Sequence, residues 1–391
     1  MHIDDLSLSF ERGVPYMLKR ILTALLSFVV IFLFFCSSSD IFAADRISVS
    51  AESAVLMEAS SSAVIYEKNA YTRMPMASTT KIMTAIVAIE NNDLDQIVTV
   101  SDKAVGVEGS SIYLYPGEKL CMRDLIYALM LESANDAAAA IAIATAGSID
   151  EFATLMNRKA KEIGLLDTHF KNPHGLDDED HYTTAYDLAR LSSYALKNEC
   201  FREIVSTYKR VIPLRDNEGS RLLLNHNRLL KSYDGAIGVK TGFTKKSGRC
   251  LVSSAERDGV TLVSVTLNAP DDWNDHKNML DFGFRIYERI SLTEIGNECF
   301  ELACVSGERD SFFASNRDGL SIITEKYDRK ITKVVELKRF YFAPISPGEV
   351  VGRVCYYDGD VYLGSVDITA EEGVPAIKKM GFWEYILSLF K

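Results

Sequence analysis

The stretch "MASTTKIMTA", Met76 to Ala85, sets a serine and a lysine three residues apart at the mouth of an apolar run. Ile82, Met83, Ala85, Ile86, Val87, Ala88 and Ile89 follow on nearly every face. The segment from Ser78 to Glu90 therefore predicts a helix buried in a core. At that spacing Ser78 and Lys81 share one helical face. A serine hydroxyl is a poor nucleophile until a base stands beside it. A lysine becomes that base when burial and nearby positive charge lower its pKa. The N–H groups of a helix start also favour developing negative charge. Alone, the pair has a plainer reading, an N-cap serine followed by a surface lysine. The apolar run after Lys81 is a poor setting for a surface charge.

Outward from this helix the pattern mixes helices and strands. "AVLMEASSSAVIYEK", Ala54 to Lys68, reads as two short strands joined by a serine-rich turn. "RDLIYALML" is helical and breaks at "ESAND"; "AAAAIAIATAG" is a second apolar helix stopped by Gly147. Asp150 to Ile163 is amphipathic, and Thr184 with Asp187 opens another helix with a capping-box pattern. "DGAIGVKTGF", "RCLVSSAE" and "VTLVSVTLNA" are strands, the last two separated by "RDG". A helix is expected from about Asp272 to Ile290. The sum is an α+β fold: one antiparallel sheet flanked by helices, then a small all-β domain.

The chain has 391 residues, 47% of them hydrophobic, enough for two domains and a sizeable core. Its formal net charge of -11 argues against a nucleic-acid partner, which needs a dominant basic stripe. No HExxH appears, the cysteines show no metal-ligand spacing, and no metal or organic cofactor is implied. Met17-Leu-Lys-Arg20, the uncharged run Ile21 to Phe35 and the small residues Ala43 and Ala44 describe a secretory signal peptide, with Met17 as an alternative start. An uncleaved anchor and a lipid-modified Cys36 are the other readings. The expected divisions are residues 1–44 as extension and signal, 45–292 as a first domain, 293–374 as the β-rich domain and 375–391 as a terminal segment. In that segment "GFWEYILSLFK" confines Glu384, Ser388 and Lys391 to one narrow helical face. Eleven residues reach about 16 Å, too short to span a bilayer, so an interfacial anchor is expected. A helix docked on the β-rich domain is the alternative.

Two further elements decide the chemistry. Ser133-Ala-Asn135 falls at a helix break, and Lys240-Thr241-Gly242 lies on a strand. Ser-x-x-Lys, Ser-x-Asn and Lys-Thr-Gly in this order are the motif set of class A β-lactamases and penicillin-binding proteins. With "SSIYLYPGE" (Ser110 to Glu118), "NPHGLD" (Asn172 to Asp177) and "GVKTGFT", the chain resembles the serine-type D-alanyl-D-alanine carboxypeptidases, the low-molecular-mass penicillin-binding proteins. The resemblance implies that Ser78 is acylated, Lys81 accepts its proton and Ser133 relays a proton to the leaving group. It implies that Asn135 holds the substrate's peptide carbonyl, and that Lys240 and Thr241 receive its terminal carboxylate. The N–H groups of Ser78 and Phe243, around Gly242, would form the oxyanion hole. Phe243 departs from the histidine of some members. The implied substrate is a peptidoglycan stem peptide ending in D-Ala-D-Ala, and β-lactams are the implied covalent inhibitors. The implied place is the outer face of the cytoplasmic membrane. The Glu-x-x-Leu-Asn setting of a lactamase deacylating base is absent between Asn135 and Lys240. A β-lactamase and a non-catalytic cell-wall binder remain the rival readings.

Overall fold

The computed structural model describes residues 47–214 and 219–378. The described residues from Val49 onward belong to one compact unit. Its first part is built on strands β1 (Ser53–Glu58), β2 (Val64–Lys68), β7 (Ala236–Thr244), β8 (Gly248–Arg257) and β9 (Val260–Leu267). Their order is β2-β1-β9-β8-β7, antiparallel throughout. Asp258-Gly259 makes the tight turn between β8 and β9.

Burial on both faces explains the apolar strands. Along β9, Val263, Val265 and Leu267 join the main core. The alternating Ser264 and Thr266 face the other way, toward Met279 and His276 of a late helix, Asp272–Ile286. The main core holds four apolar helices: α1 (Lys81–Asn91), α2 (Met122–Leu131), α3 (Asn135–Ala146) and, after the amphipathic α4 (Ile149–Glu162), α5 (Ala185–Leu196). Thr184 caps α5, its hydroxyl accepting the Asp187 N–H. The short α6 (Glu199–Ser206) and α7 (Leu229–Ser232) flank a hairpin of β5 (Lys209–Pro213) and β6 (Ser220–Leu224), which is not among the expected elements. A small pair, β3 (Ile97–Thr99) with β4 (Lys119–Cys121), lies beside α2.

The late helix, α8, ends at Ile286 rather than Ile290. Tyr287–Thr293 is a strand, β10, paired with β13 (Leu320–Glu325). "FRIYERI" fits either period locally, and a partner strand well along the chain decides it. β10 therefore crosses the boundary expected at residue 292. Beyond it β11 (Cys299–Val305), β12 (Ser311–Asn316), β14 (Ile331–Leu337), β15 (Tyr341–Phe342), β16 (Val350–Asp358) and β17 (Val361–Ala370) form one sheet in the order β14-β16-β17-β12-β11-β15. Phe312, Val354, Ile368 and Val374 centre a second core that shares no residue with the first. Cys299 is exposed and Cys304 buried, as opposite sides of one strand require. The expected signal and terminal anchor lie outside the described residues.

Candidate active site

Ser78 sits in a 3-10 turn, Ala77–Thr80, that runs directly into α1 at Lys81. Ala77 before it has φ +46°, and Ser133 has φ +61°. Both are strained values for residues with a Cβ, and both flank the reacting region. The Lys81 side chain is fully buried. Its ammonium donates to Ser78 Oγ (2.9 Å), Asn135 Oδ1 (2.7 Å) and the His174 carbonyl (2.5 Å). Burial drives the Lys81 pKa well down, and the positive charge of Lys240 pushes the same way, against the pull of Asp136.

Asn135 opens α3. Its Nδ2 donates to the Glu108 carbonyl (2.5 Å) and its backbone N–H to the Ser110 carbonyl (2.7 Å). Next to it, Asp136 accepts Ser111 Oγ (2.6 Å) and the N–H groups of Ile112 (3.3 Å) and Leu114 (3.0 Å). The "SSIYLYPGE" segment is thus gathered onto the helix start that carries Asn135. Its far end is clamped by a buried ion pair, Glu118 with Arg221 of β6 (2.5 Å).

β7 is the edge strand of the sheet and passes the Ser78 turn. A Cβ on Gly242 would lie 3.1 Å from the Ser78 nitrogen and 3.2 Å from the Ala77 Cβ, so only glycine fits without displacement. Lys240 on this strand is buried, its Nζ donating to the Thr241 carbonyl (3.0 Å). Burial lowers its pKa to about 7, with Glu132 opposing. A cavity of about 340 Å³ opens beside these groups. Ser78, Ser110, Ser133, Thr241, Gly242 and Phe243 line it, together with His226, Arg249, Asp272 and Trp273. The eight residues singled out in the sequence thus converge. Five line the cavity, and Lys81 and Asn135 lie behind Ser78. Lys240 lies beside Thr241.

This geometry agrees with what the chain is similar to. The family described as D-alanyl-D-alanine carboxypeptidase, peptidase S11, matches residues 40–271. This chain belongs to that family. The D-alanyl-D-alanine carboxypeptidase DacF of Bacillus subtilis is 34% identical over 94% of this chain and 97% of its own length. Penicillin binding protein 5 from Haemophilus influenzae superposes with a TM-score of 0.64 at 26% identity, covering 85% of this chain and all of its own (100%). The Streptomyces K15 DD-transpeptidase gives 0.59 at 34% identity, over 62% of this chain and 100% of its own.

Several residues of this carboxypeptidase-family site were not legible as site residues. "NPHGLD" reads as a loop, and it is one. What the sequence does not disclose is that the loop delivers the His174 carbonyl to Lys81. Gly175, at φ +92°, lies so close to the nucleophile turn that a Cβ would fall 2.0 Å from the Ala77 carbonyl oxygen. His181 supports the same Ala77 carbonyl through Thr80. Its Nδ1 accepts the Lys171 N–H (3.0 Å), so Nε2 carries the proton and donates to Thr80 Oγ1 (2.7 Å). Thr80 Oγ1 in turn donates to Ala77 O (2.8 Å). Burial lowers the pKa of His181 to about 4, which keeps its ring neutral in this network, and that of His174, whose Nδ1 accepts the Leu176 N–H (3.3 Å), to about 3. His226, which lines the cavity, lies 3.4 Å from Glu132, and Arg249 is held by Asp272 (2.7 Å). No motif announces these four, because their partners come from separate elements.

Proposed function

We propose that this protein is a serine D-Ala-D-Ala carboxypeptidase that trims peptidoglycan stem peptides in the cell envelope. One observation carries the reading: a buried lysine of lowered pKa touches a half-buried serine hydroxyl that faces a cavity edged by Lys-Thr-Gly. As a free amine, Lys81 takes the Ser78 proton while Ser78 Oγ bonds to the carbonyl between the terminal D-alanines. The N–H groups of Ser78 and Phe243 receive the oxyanion. The C–N bond then breaks as the proton on Lys81 passes through Ser133 to the leaving nitrogen, and D-alanine departs. Water attacks the ester, its proton passing to Lys81 and on to Ser78 Oγ as the ester C–O bond breaks, and the shortened peptide leaves. Asn135 orients the peptide carbonyl with the Nδ2 hydrogen not used by Glu108. Lys240 and Thr241 take the terminal carboxylate, where a charge-assisted bond is stronger than a neutral one.

Export by the N-terminal signal and anchoring on the outer face of the membrane by Gly381 to Lys391 complete the proposal. Both rest on composition and on the family. The test of the chemistry uses a labelled penicillin and a synthetic D-Ala-D-Ala peptide. The chain should release D-alanine and hold a lasting adduct on the peptide containing Ser78; Ser78→Ala should do neither. Rapid turnover of the label would instead mark a β-lactamase, and no labelling a binder.

A further inference from the structure

The β-rich part carries a feature that the reaction does not use. β15 pairs in parallel with β11, Val305 beside Phe342, at one end of the sheet. The rings of Phe340 and Phe342 meet edge to face at 5.4 Å. Phe340 is 48% exposed, Phe342 65% and Val305 40%. Ile377, 58% exposed, joins them because its N–H bonds the Ser306 carbonyl (2.9 Å). Buried Tyr341 fixes the strand between the two rings: its hydroxyl donates to Val351 O (2.5 Å) and accepts the Lys338 N–H (3.0 Å). The exposed rings are therefore held outward rather than free to fold in.

Charge follows the same patch. Lys338 and Arg339 immediately precede Phe340, and Lys378 follows Ile377; all three are exposed. None forms an ion pair among the described residues, whereas the chain as a whole carries -11. Of the acids close in sequence, Glu336 and Glu308 are exposed, and Glu349 is engaged by the Ser346 N–H (2.9 Å). The sequence leaves this spot as "KMGFWEYILSLFK", 379–391, itself basic and aromatic. Aromatic rings flanked by lysine and arginine suit the headgroup depth of an anionic bilayer.

We propose that this tip of the β-rich sheet is a second membrane contact, with Phe340, Phe342, Val305 and Ile377 entering the interface of an anionic lipid surface and Lys338, Arg339 and Lys378 meeting its headgroups. It rests on the membrane location proposed above but not on the terminal segment as sole anchor. A docking site for that segment is the competing use of the same patch.

The test uses residues 45–391, the chain expected after signal removal, and vesicles of phosphatidylglycerol mixed with phosphatidylcholine. Labelled penicillin verifies that each variant keeps its active site. Phe340→Ser with Phe342→Ser should weaken sedimentation with these vesicles about tenfold, and Lys338→Glu with Arg339→Glu should do the same at low salt only. In a Trp383→Phe background, which keeps the native Trp273, the emission that the indole of Phe342→Trp adds over that parent should blue-shift on vesicle addition and be quenched by brominated lipid. Equal binding of wild type and the double Phe variant, with no quenching at residue 342, would overturn the tip while leaving the terminal anchor intact. Blue-shifted emission from that indole before any vesicle is added, and unchanged by vesicles, would show that the terminal segment covers the patch instead. Failure of the wild type to bind any vesicle would remove both membrane proposals.

Discussion

Lys81 has three hydrogen-bond partners and its ammonium has three donors. The same shell suits the free amine, which keeps two donors for Asn135 Oδ1 and the His174 carbonyl and turns its lone pair to the Ser78 hydroxyl. Proton transfer can therefore occur without rearranging the neighbours, which is what preorganisation means for a base. In the proposed reaction Lys240 works in the opposite sense, since the substrate carboxylate needs it charged. With its pKa lowered to about 7, it is a cation below that pH and increasingly neutral above. For a peptide with a free C-terminus, kcat/KM should fall as pH rises through about 7. A bound carboxylate stabilises the cation, so kcat should fall only at higher pH. The same peptide amidated at its C-terminus should lack this limb. Matching profiles for the two substrates would show that Lys240 does not read the carboxylate.

At the level of elements, two loops hold the site, and each hangs on a residue outside the three motifs. Gly175→Ala must displace either "NPHGLD" or the Ser78 turn, because a Cβ falls 2.0 Å from Ala77 O. Acylation by labelled penicillin should slow about 100-fold, the effect of misplacing a reacting group by about 1 Å. An unchanged rate would mean that the loop yields without moving Lys81's acceptor. Asp136→Ala should destabilise the protein by about 3 kcal/mol, since it leaves the Ile112 and Leu114 amides buried without their acceptor. Denaturant melts of the two proteins measure this directly. These cases also show what sequence can convey. Ser78 and Lys81 are readable because a helix puts them on one face, and the strands because their period is local. Glycine at 175 is readable as a turn, but not as a contact with Ala77 in a distant part of the chain. The break at Ile286 fails for a related reason: β13 selects the strand, and nothing within the window does. The Asp136 network and the His181 relay are likewise assembled by the fold from segments that carry no shared pattern.

Over the whole molecule, the one compact unit holds two cores without a common residue, and each is expected to melt cooperatively by itself. Calorimetry should resolve two transitions, and acylation with a penicillin should move only the one belonging to the Ser78 core. A single transition, or a shift of both, would show that the cores melt as one. Between them lies an unusual junction: α8 ends at Ile286 and β10 begins at Tyr287, with no loop residue between. The joint is stapled from the far side, where the Lys326 N–H bonds the Ile286 carbonyl (2.6 Å) and Lys326 Nζ bonds that of Phe284 (2.9 Å). A helix packed on the central sheet that turns straight into a strand of the next part has no swivel. Joined in this way, the β-rich part would act as a fixed strut. If its tip rests on a bilayer as proposed above, such a strut would set the altitude at which the cavity works, and the enzyme would crop peptides from one stratum of the wall and leave those above and below it untouched.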